Sequence, residues 1–180
     1  MPGTITVDAT KIRLDNYRVN VGGTDMGLTE GGVEIAIQQK IVEITGDAYG
    51  ITPLNTKNAG VRVTVKFAVK ETLYNGKLSK IWHEGTLRST GGDAIGFGGK
   101  LAGELDGLTN AVAIILHPLD QADATLTFDI NVWKAIPIGD PVIKAGPDKE
   151  TIYEVTFLAL RDSTKTAGKQ LIDVGLAAAT

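Results

Sequence analysis

The stretch from Gly60 to Leu73, GVRVTVKFAVKETL, alternates between apolar and polar positions. Val61, Val63, Val65, Phe67 and Val69 fall on one side, and Arg62, Thr64, Lys66, Ala68 and Lys70 on the other, because successive side chains of a strand point to opposite faces. The same period runs through VEIAIQQKIVEI, where Val33, Ile35 and Ile37 oppose Glu34, Ala36 and Gln38. Near Lys40 the phase slips, with Ile41 on the first face and Val42 and Ile44 on the second, which predicts a bulge and a bend. Between these strands, residues 45–60 (TGDAYGITPLNTKNAG) read as a loop too long for a tight hairpin, carrying apolar Tyr49, Ile51 and Leu54.

Further along, residues 71–82 change period: Tyr74, Leu78, Ile81 and Trp82 sit at helical spacing behind a Thr72 N-cap, predicting one short amphipathic helix. Gly76 within it costs about 1 kcal/mol relative to alanine, so packing must hold that helix. Glycines break up the region that follows, residues 84–110, where Leu101, Leu105 and Leu108 fit either a short helical turn or a sheet edge. AVAIILH and ATLTFDINVWKAI read as strands joined by the polar turn PLDQAD. In the second, Leu126, Phe128, Ile130 and Val132 share one face and Thr127, Asp129 and Asn131 the other. PIGDPVIKAGPDKE reads as a Pro/Gly connection, TIYEVTFLALRD as a strand, and STKTAGKQLIDVG as a turn with a short closing strand. Residues 1–22 read as an N-terminal extension to one domain spanning 1–180. No heptad, solenoid period or low-complexity tail interrupts the pattern.

Composition agrees with a β protein that buries one core. With 43% hydrophobic residues in 180, the chain can fill a single sizeable interior. Its 22 glycines exceed the usual share of about 7% and cluster at segment joints such as VGGTDMG and STGGDAIGFGG. Eighteen basic against 21 acidic residues give a net charge of −3, so no global field recruits nucleic acid or an anionic membrane. The chain has no cysteine, which excludes disulfides, thiolate nucleophiles and zinc–cysteine sites and suits a reducing compartment. Its first residues lack the basic and apolar regions of a secretory signal, and no run of 18 apolar residues occurs, so a soluble cytoplasmic protein is expected.

Catalytic motifs fail on inspection. GGDAIGFGGK, residues 91–100, has Ala94 where a phosphate loop needs glycine and Leu101 where it needs a hydroxyl, and Gly96 and Gly98 open no dinucleotide fingerprint. His83 and His117, the only histidines, have no carboxylate or cysteine at metal-ligand spacing and read as helix-end and strand-end residues. Ser79, Ser89 and Ser163 lack the surroundings of a nucleophile elbow. Trp82 and Trp133 read as core or interface anchors. No enzyme, cofactor or metal is expected.

The polar strand faces gather Glu34, Gln38, Arg62, Thr64, Lys66, Thr127, Asp129 and Asn131, and a solvated exterior accounts for them by composition alone. The order of segments goes further. A glycine-led first strand (TDMGLTEGGVEIAI), a long loop, a strand flowing into a helix (VRVTVKFAVKETLYNGKL) and a close on Phe157, Ala159, Asp162, Gly168 and LIDVG resemble the major tail tube proteins of long-tailed bacteriophages. The resemblance covers about Gly23 to Gly175 through loose patterns of small and apolar residues.

That resemblance implies a mostly β fold, a β-sandwich or small barrel with one flanking helix, shared with type VI secretion tubes. It further implies a structural virion protein, made in the host cytoplasm, whose hexameric rings stack into a passive conduit for DNA. Its partners would be itself, the tape measure protein and other tail proteins, with DNA passing unbound and no membrane involved. The eight polar-face residues would line the lumen, where Glu34 and Asp129 cancel Arg62 and Lys66, whereas the resemblance implies a net negative wall. Residues 45–60 would be the inter-ring loop, with contacts from Tyr49, Ile51, Pro53 and Leu54. Two other readings remain open: a monomeric β-barrel that binds a ligand, and a single-ring tail terminator or capsid decoration protein.

Overall fold

A computed structural model describes residues 16–49, 51–70, 77–81, 86–87, 95–96 and 106–175. Its largest feature is an antiparallel hairpin of two 17-residue strands, each about 55 Å long at the rise of an extended chain. In chain order the strands are β1 (Tyr17–Val21), β2 (Thr24–Asp25), β3 (Thr29–Thr45), β4 (Pro53–Val69), β5 (Thr86–Leu87), β6 (Ile95–Gly96), β7 (Val112–Pro118), β8 (Ile130–Gly146), β9 (Lys149–Ala159) and β10 (Ile172–Val174). One helix, α1 (Lys77–Ile81), lies between β4 and β5. The main sheet runs β2-β1-β7-β8-β9-β4-β3, all antiparallel, with β10 on the β8 edge that β9 vacates; β5 and β6 form a separate ribbon.

The alternation read between Val61 and Val69 sets the core. Val63, Val65, Phe67 and Val69 are buried, and they meet Val19 and Val21 of β1, Ile114 and Leu116 of β7, Val132 and Ala135 of β8, and Val155 and Phe157 of β9 in one cluster. The Phe67 and Phe157 rings stack with centroids 5.6 Å apart. Leu78 and Ile81, three residues apart on α1, are buried in the same cluster, so the helix caps the concave side of the sheet. Because β1 also contacts β3, the sheet curls until its two ends approach. Among the described residues no hydrogen-bonded ladder closes it, and a cleft of about 840 Å³ remains there, lined by Tyr17, Arg18, Asp25, Leu28 and Gly31–Gly32 among others.

Glycine makes two of the bends. Gly22 and Gly23, both at positive φ, form the two-residue turn between β1 and β2. Gly31 and Gly32, at φ 71° and 80°, are the extra residues that bend the start of β3 away from β4.

The mostly β class is as expected, and several finer expectations are corrected. Of the expected forms, a sandwich or a small barrel with one flanking helix, the described strands make one antiparallel sheet with a short helix, rolled so that one face holds the core cluster. The N-terminal extension of 1–22 gives way at Tyr17, where β1 pairs with β7 and buries Val19 and Val21; residues 1–15 lie outside the described residues. The 45–60 loop is mostly strand: β3 runs to Thr45, a 3₁₀ turn occupies Asp47–Tyr49, and β4 begins at Pro53. Likewise the 137–150 connection is the distal part of the β8–β9 hairpin. Leu126 and Phe128 sit in an exposed 3₁₀ turn rather than on a strand. The slip at Lys40 is present as a register shift between Lys40/Gly60 and Ile41/Asn58. Thr72, Tyr74, Gly76, Trp82, His83, Leu101 and Leu105 lie outside the described residues.

Candidate assembly surface

β9 pairs with β4 only between Thr64 and Val69, so β4 divides into two regimes. Above Thr64 it has neighbours on both edges; below, from Pro53 to Val63, it has β3 alone among the described residues. The lower part of the β3–β4 hairpin is thus a two-stranded arm, a form that is marginally stable in water by itself. It carries apolar side chains on both faces: Ile37, Ile41 and Val61 on the core-side face, Val42 and Ile44 on the other, all exposed.

The arm ends in an ordered tip. Tyr49 N–H donates to the Gly46 carbonyl at 2.8 Å and Thr52 N–H to the Tyr49 carbonyl at 3.2 Å. A Cβ on Gly46 would stand 3.1 Å from Leu54 Cδ1 and 3.9 Å from the Tyr49 ring, so the missing side chain lets those two close over the turn. Tyr49, Ile51, Pro53 and Leu54 are therefore brought together at one end, with Ile51 96% exposed.

A second arm was invisible in the sequence. The distal β8–β9 hairpin continues past Val69, because Tyr153 is the last β9 residue paired with β4 while β9 begins at Lys149. Since the β3–β4 tip lies at the opposite end of β4, the two arms project in opposite directions. Val142 and Ile143 are exposed on β8, but they pair with Glu154 and Tyr153 and so lie level with Ala68 and Val69 rather than on the part that projects; Lys144 donates to Glu154 across the hairpin. That hydrogen bond is the main reason the Glu154 carboxyl titrates below its usual range. At the root, Lys70 Nζ bridges Glu150 of the second arm and Glu30 at the start of β3. The Glu150 bond first, then the Glu30 bond, raises the Lys70 pKa. One cation thus ties the base of the first hairpin to the turn end of the second.

The expected lining residues divide. Glu34, Gln38, Arg62, Thr64 and Lys66 share the convex face of β3 and β4, Glu34 opposite Lys66 and Gln38 opposite Arg62, and all but half-buried Thr64 are exposed. On the neighbouring strand Thr156 pairs with Lys66, and Glu154 feels the Lys66 charge, so the signs are mixed. Thr127 is exposed but sits in the 3₁₀ turn, apart from these strands.

Asp129 and Asn131 are corrections: at 3% and 4% exposure they are interior to the subunit and cannot face a channel. Asp129 Oδ1 lies 2.7 Å from His117 Nδ1, and His117 Nε2 lies 3.4 Å from the Gln121 carbonyl oxygen. A buried carboxylate requires a partner of this kind, and the pair pins the 118–129 turn to the end of β7. Asn131 Nδ2 is buried with no hydrogen-bond partner. Trp133 anchors the last loop, its Nε1–H donating to the Lys169 carbonyl while the Lys165 ammonium stands 3.9 Å from its ring centroid. In that loop Asp162 accepts from Thr164 N–H and Oγ1–H, bonds that lower its pKa, with Lys134 adding a smaller effect.

Sequence reasoning missed Val142 and Ile143, whose only signal was an apolar pair between Pro141 and Gly146. Among the described residues no group of three or more His, Asp or Glu is placed to hold a metal ion, and no helix is long and apolar enough to cross a membrane. Compared with family models and with curated proteins, the chain matches none.

Proposed function

We propose that this protein is a structural subunit that assembles with copies of itself, as the resemblance to phage tail tube proteins implies, into rings that stack along an axis. One observation carries the reading: the β3–β4 arm leaves the body with exposed apolar side chains on both faces and at its tip, uncovered by the core among the described residues, while the β8–β9 turn projects from the opposite end. A monomer gains nothing from Ile51 at 96% exposure. Large exposed apolar patches mark interaction sites. A protomer whose two ends differ makes heterologous contacts, and these generate rings when the rotation closes and open filaments when it does not. The edge of β3 that no described strand pairs is a second assembly element, because an unpaired edge of this length invites a strand from a neighbour.

In such an assembly the convex face with Glu34, Gln38, Arg62, Thr64 and Lys66 is the proposed channel lining. With Asp129 interior, one acid faces two bases among these five, a small excess of one positive charge, since Glu154 near Lys66 is itself bonded to Lys144. A wall of near-balanced sign neutralises few phosphates and lets DNA slide, because affinity grows with each neutralised phosphate. The chain performs no catalysis in this reading.

The ligand-binding alternative has one observation in its favour, the 840 Å³ cleft between β1 and β3. Electron microscopy of the purified full chain separates the readings. Rings or tubes are expected, and they should disappear when residues 43–56 are replaced by Asn-Gly while the circular dichroism of the body is retained. A monomer at all concentrations, with or without the arm, would refute assembly; single rings that never stack would point to the terminator role.

A further inference from the structure

The outer edge of β3, 17 residues long, pairs with no described strand, and its own sequence indicates what fits there. We infer that two copies of this chain join β3 to β3, antiparallel, about a two-fold axis at Ile37. The pair is closed by its own symmetry, unlike the heterologous contacts of a ring, and it occupies an edge that a ring contact would need. Strands related in this way match residues of the same parity, so the core-side row meets the core-side row and the convex row meets the convex row. With the axis at Ile37, that residue meets its own copy, Ile35 meets Gln39, and Val33 meets Ile41; on the convex face Ala36 meets Gln38 and Glu34 meets Lys40. An axis at Glu34 or at Lys40 would set like charges directly opposite, which destabilises a sheet, whereas the axis at Ile37 sets two Glu–Lys pairs opposite.

The other charges on this face agree with that register. Within one copy Lys66 lies opposite Glu34, Arg62 opposite Gln38 and Lys40 opposite Gly60, so Lys40 stands diagonal to the like charge of Arg62. The second copy brings a carboxylate to the outer side of Lys40. Arg62 falls in a row with Gln38 and then Ala36 and Thr64 of the second copy, where it meets no cation, and Glu34 separates Lys66 from Lys40 of the second copy. Glu30, nearer the body, is held by Lys70. Space and apolar surface are also present. Ile37 and Ile41 are 57% and 55% exposed, and the pairing covers both. Past Glu34 the ladder reaches Gly31 and Gly32, where an added Cβ would meet nothing within 4 Å, and the cleft between β1 and β3 opens beside them. A ladder from Glu34 to Lys40 is a small interface, so the pair should dissociate on dilution.

The chain has no native cysteine, so Ile37→Cys in the full chain tests the axis directly. Opposed residues of an antiparallel pair have Cα atoms about 4.5–5.5 Å apart, inside the disulfide range of about 4.4–6.8 Å. Gln39, equally exposed and on the same face, would lie four residues, about 13 Å, from Gln39 of the second copy. Under mild oxidation Ile37→Cys should form a disulfide dimer well ahead of Gln39→Cys, and sedimentation equilibrium of the unmodified chain should show monomer and dimer exchanging with concentration. Equal cross-linking of the two cysteines overturns the register, and a monomer at every concentration overturns the pair. Larger assemblies that leave Ile37→Cys uncross-linked overturn the pair and leave the ring reading standing. Dimers that cross-link through Ile37→Cys and never build rings uphold the pair and count against the ring reading. Lys40→Glu gives an independent check: it sets carboxylates opposite each other at two symmetric places and should raise the dimer dissociation constant about tenfold, and Glu34→Lys in the same chain should restore it. Failure of that rescue overturns the register.

Discussion

The two halves of β4 obey one pattern and have opposite fates. From Val63 to Val69 every second residue is sealed in the core, and Phe67 stacks on Phe157. From Pro53 to Val61 the chain is equally extended and hydrogen-bonded to β3, yet all its residues are exposed. The difference is not propensity: among the described residues β9 flanks the first half on the edge away from β3, and no strand takes that edge along the second. A strand gains stability from the layers and neighbours around it, so the upper half belongs to the folding unit and the lower half is surface held out for a partner.

Substitutions should separate the halves by size of effect on the monomer. Phe157→Ala empties the centre of the body and should cost about 3–5 kcal/mol in chemical denaturation. Next comes Asp129→Ala, which leaves the His117 ring without its carboxylate in a buried setting and should cost about 1–3 kcal/mol, with thermal melting as the readout.

Acid should act more gently on the body. The Asp162 carboxyl is held below its usual value, so it stabilises the fold fully above the ordinary carboxylate pKa of about 3.9, and that contribution is lost as pH falls through the depressed folded value. Asp106 and Glu154 shift in the same direction. A denaturation series from pH 7 to 2 should therefore lose stability mainly below about pH 4, and Asp162→Asn should flatten part of that slope.

The smallest monomer effect belongs to the arm. Ile51→Ser should change the unfolding free energy by less than about 0.5 kcal/mol, as surface substitutions do, while abolishing any particles seen by light scattering. Hydrogen exchange sharpens the contrast: amides of 41–58 should exchange well before those of 63–69 in the monomer. Equal protection in both halves would mean that the arm is not a separate, weaker unit.

Much of the body was legible because its signals are local. The alternation from Val61 to Val69 and the slip at Lys40 rest on period-two spacing that the side chains themselves carry, and the strands around Val112, Thr151 and Ile172 stand out as short apolar runs between turn residues. The arms were not legible for the complementary reason. PLNTKNAG and PIGDPVIKAG are rich in Pro, Gly, Asn and Asp, which disfavour strands, and they extend only because a partner strand supplies the other half of each ladder. Asp129 was misplaced because its environment is set by His117, twelve residues away, and by a 3₁₀ turn that ends the alternation at Phe128.

The sequence by itself determined the class and the faces: a cysteine-free, glycine-punctuated β chain whose alternating residues specify which side of each strand seeks the core. Only the tertiary structure decided which alternating stretches obtain that core, that the sheet rolls without closing among the described residues, and that the β3–β4 and β8–β9 hairpins project in opposite directions. Alternation is written residue by residue, whereas burial depends on how far each strand extends past its neighbours, a quantity that exists only once strands from distant parts of the chain are in register.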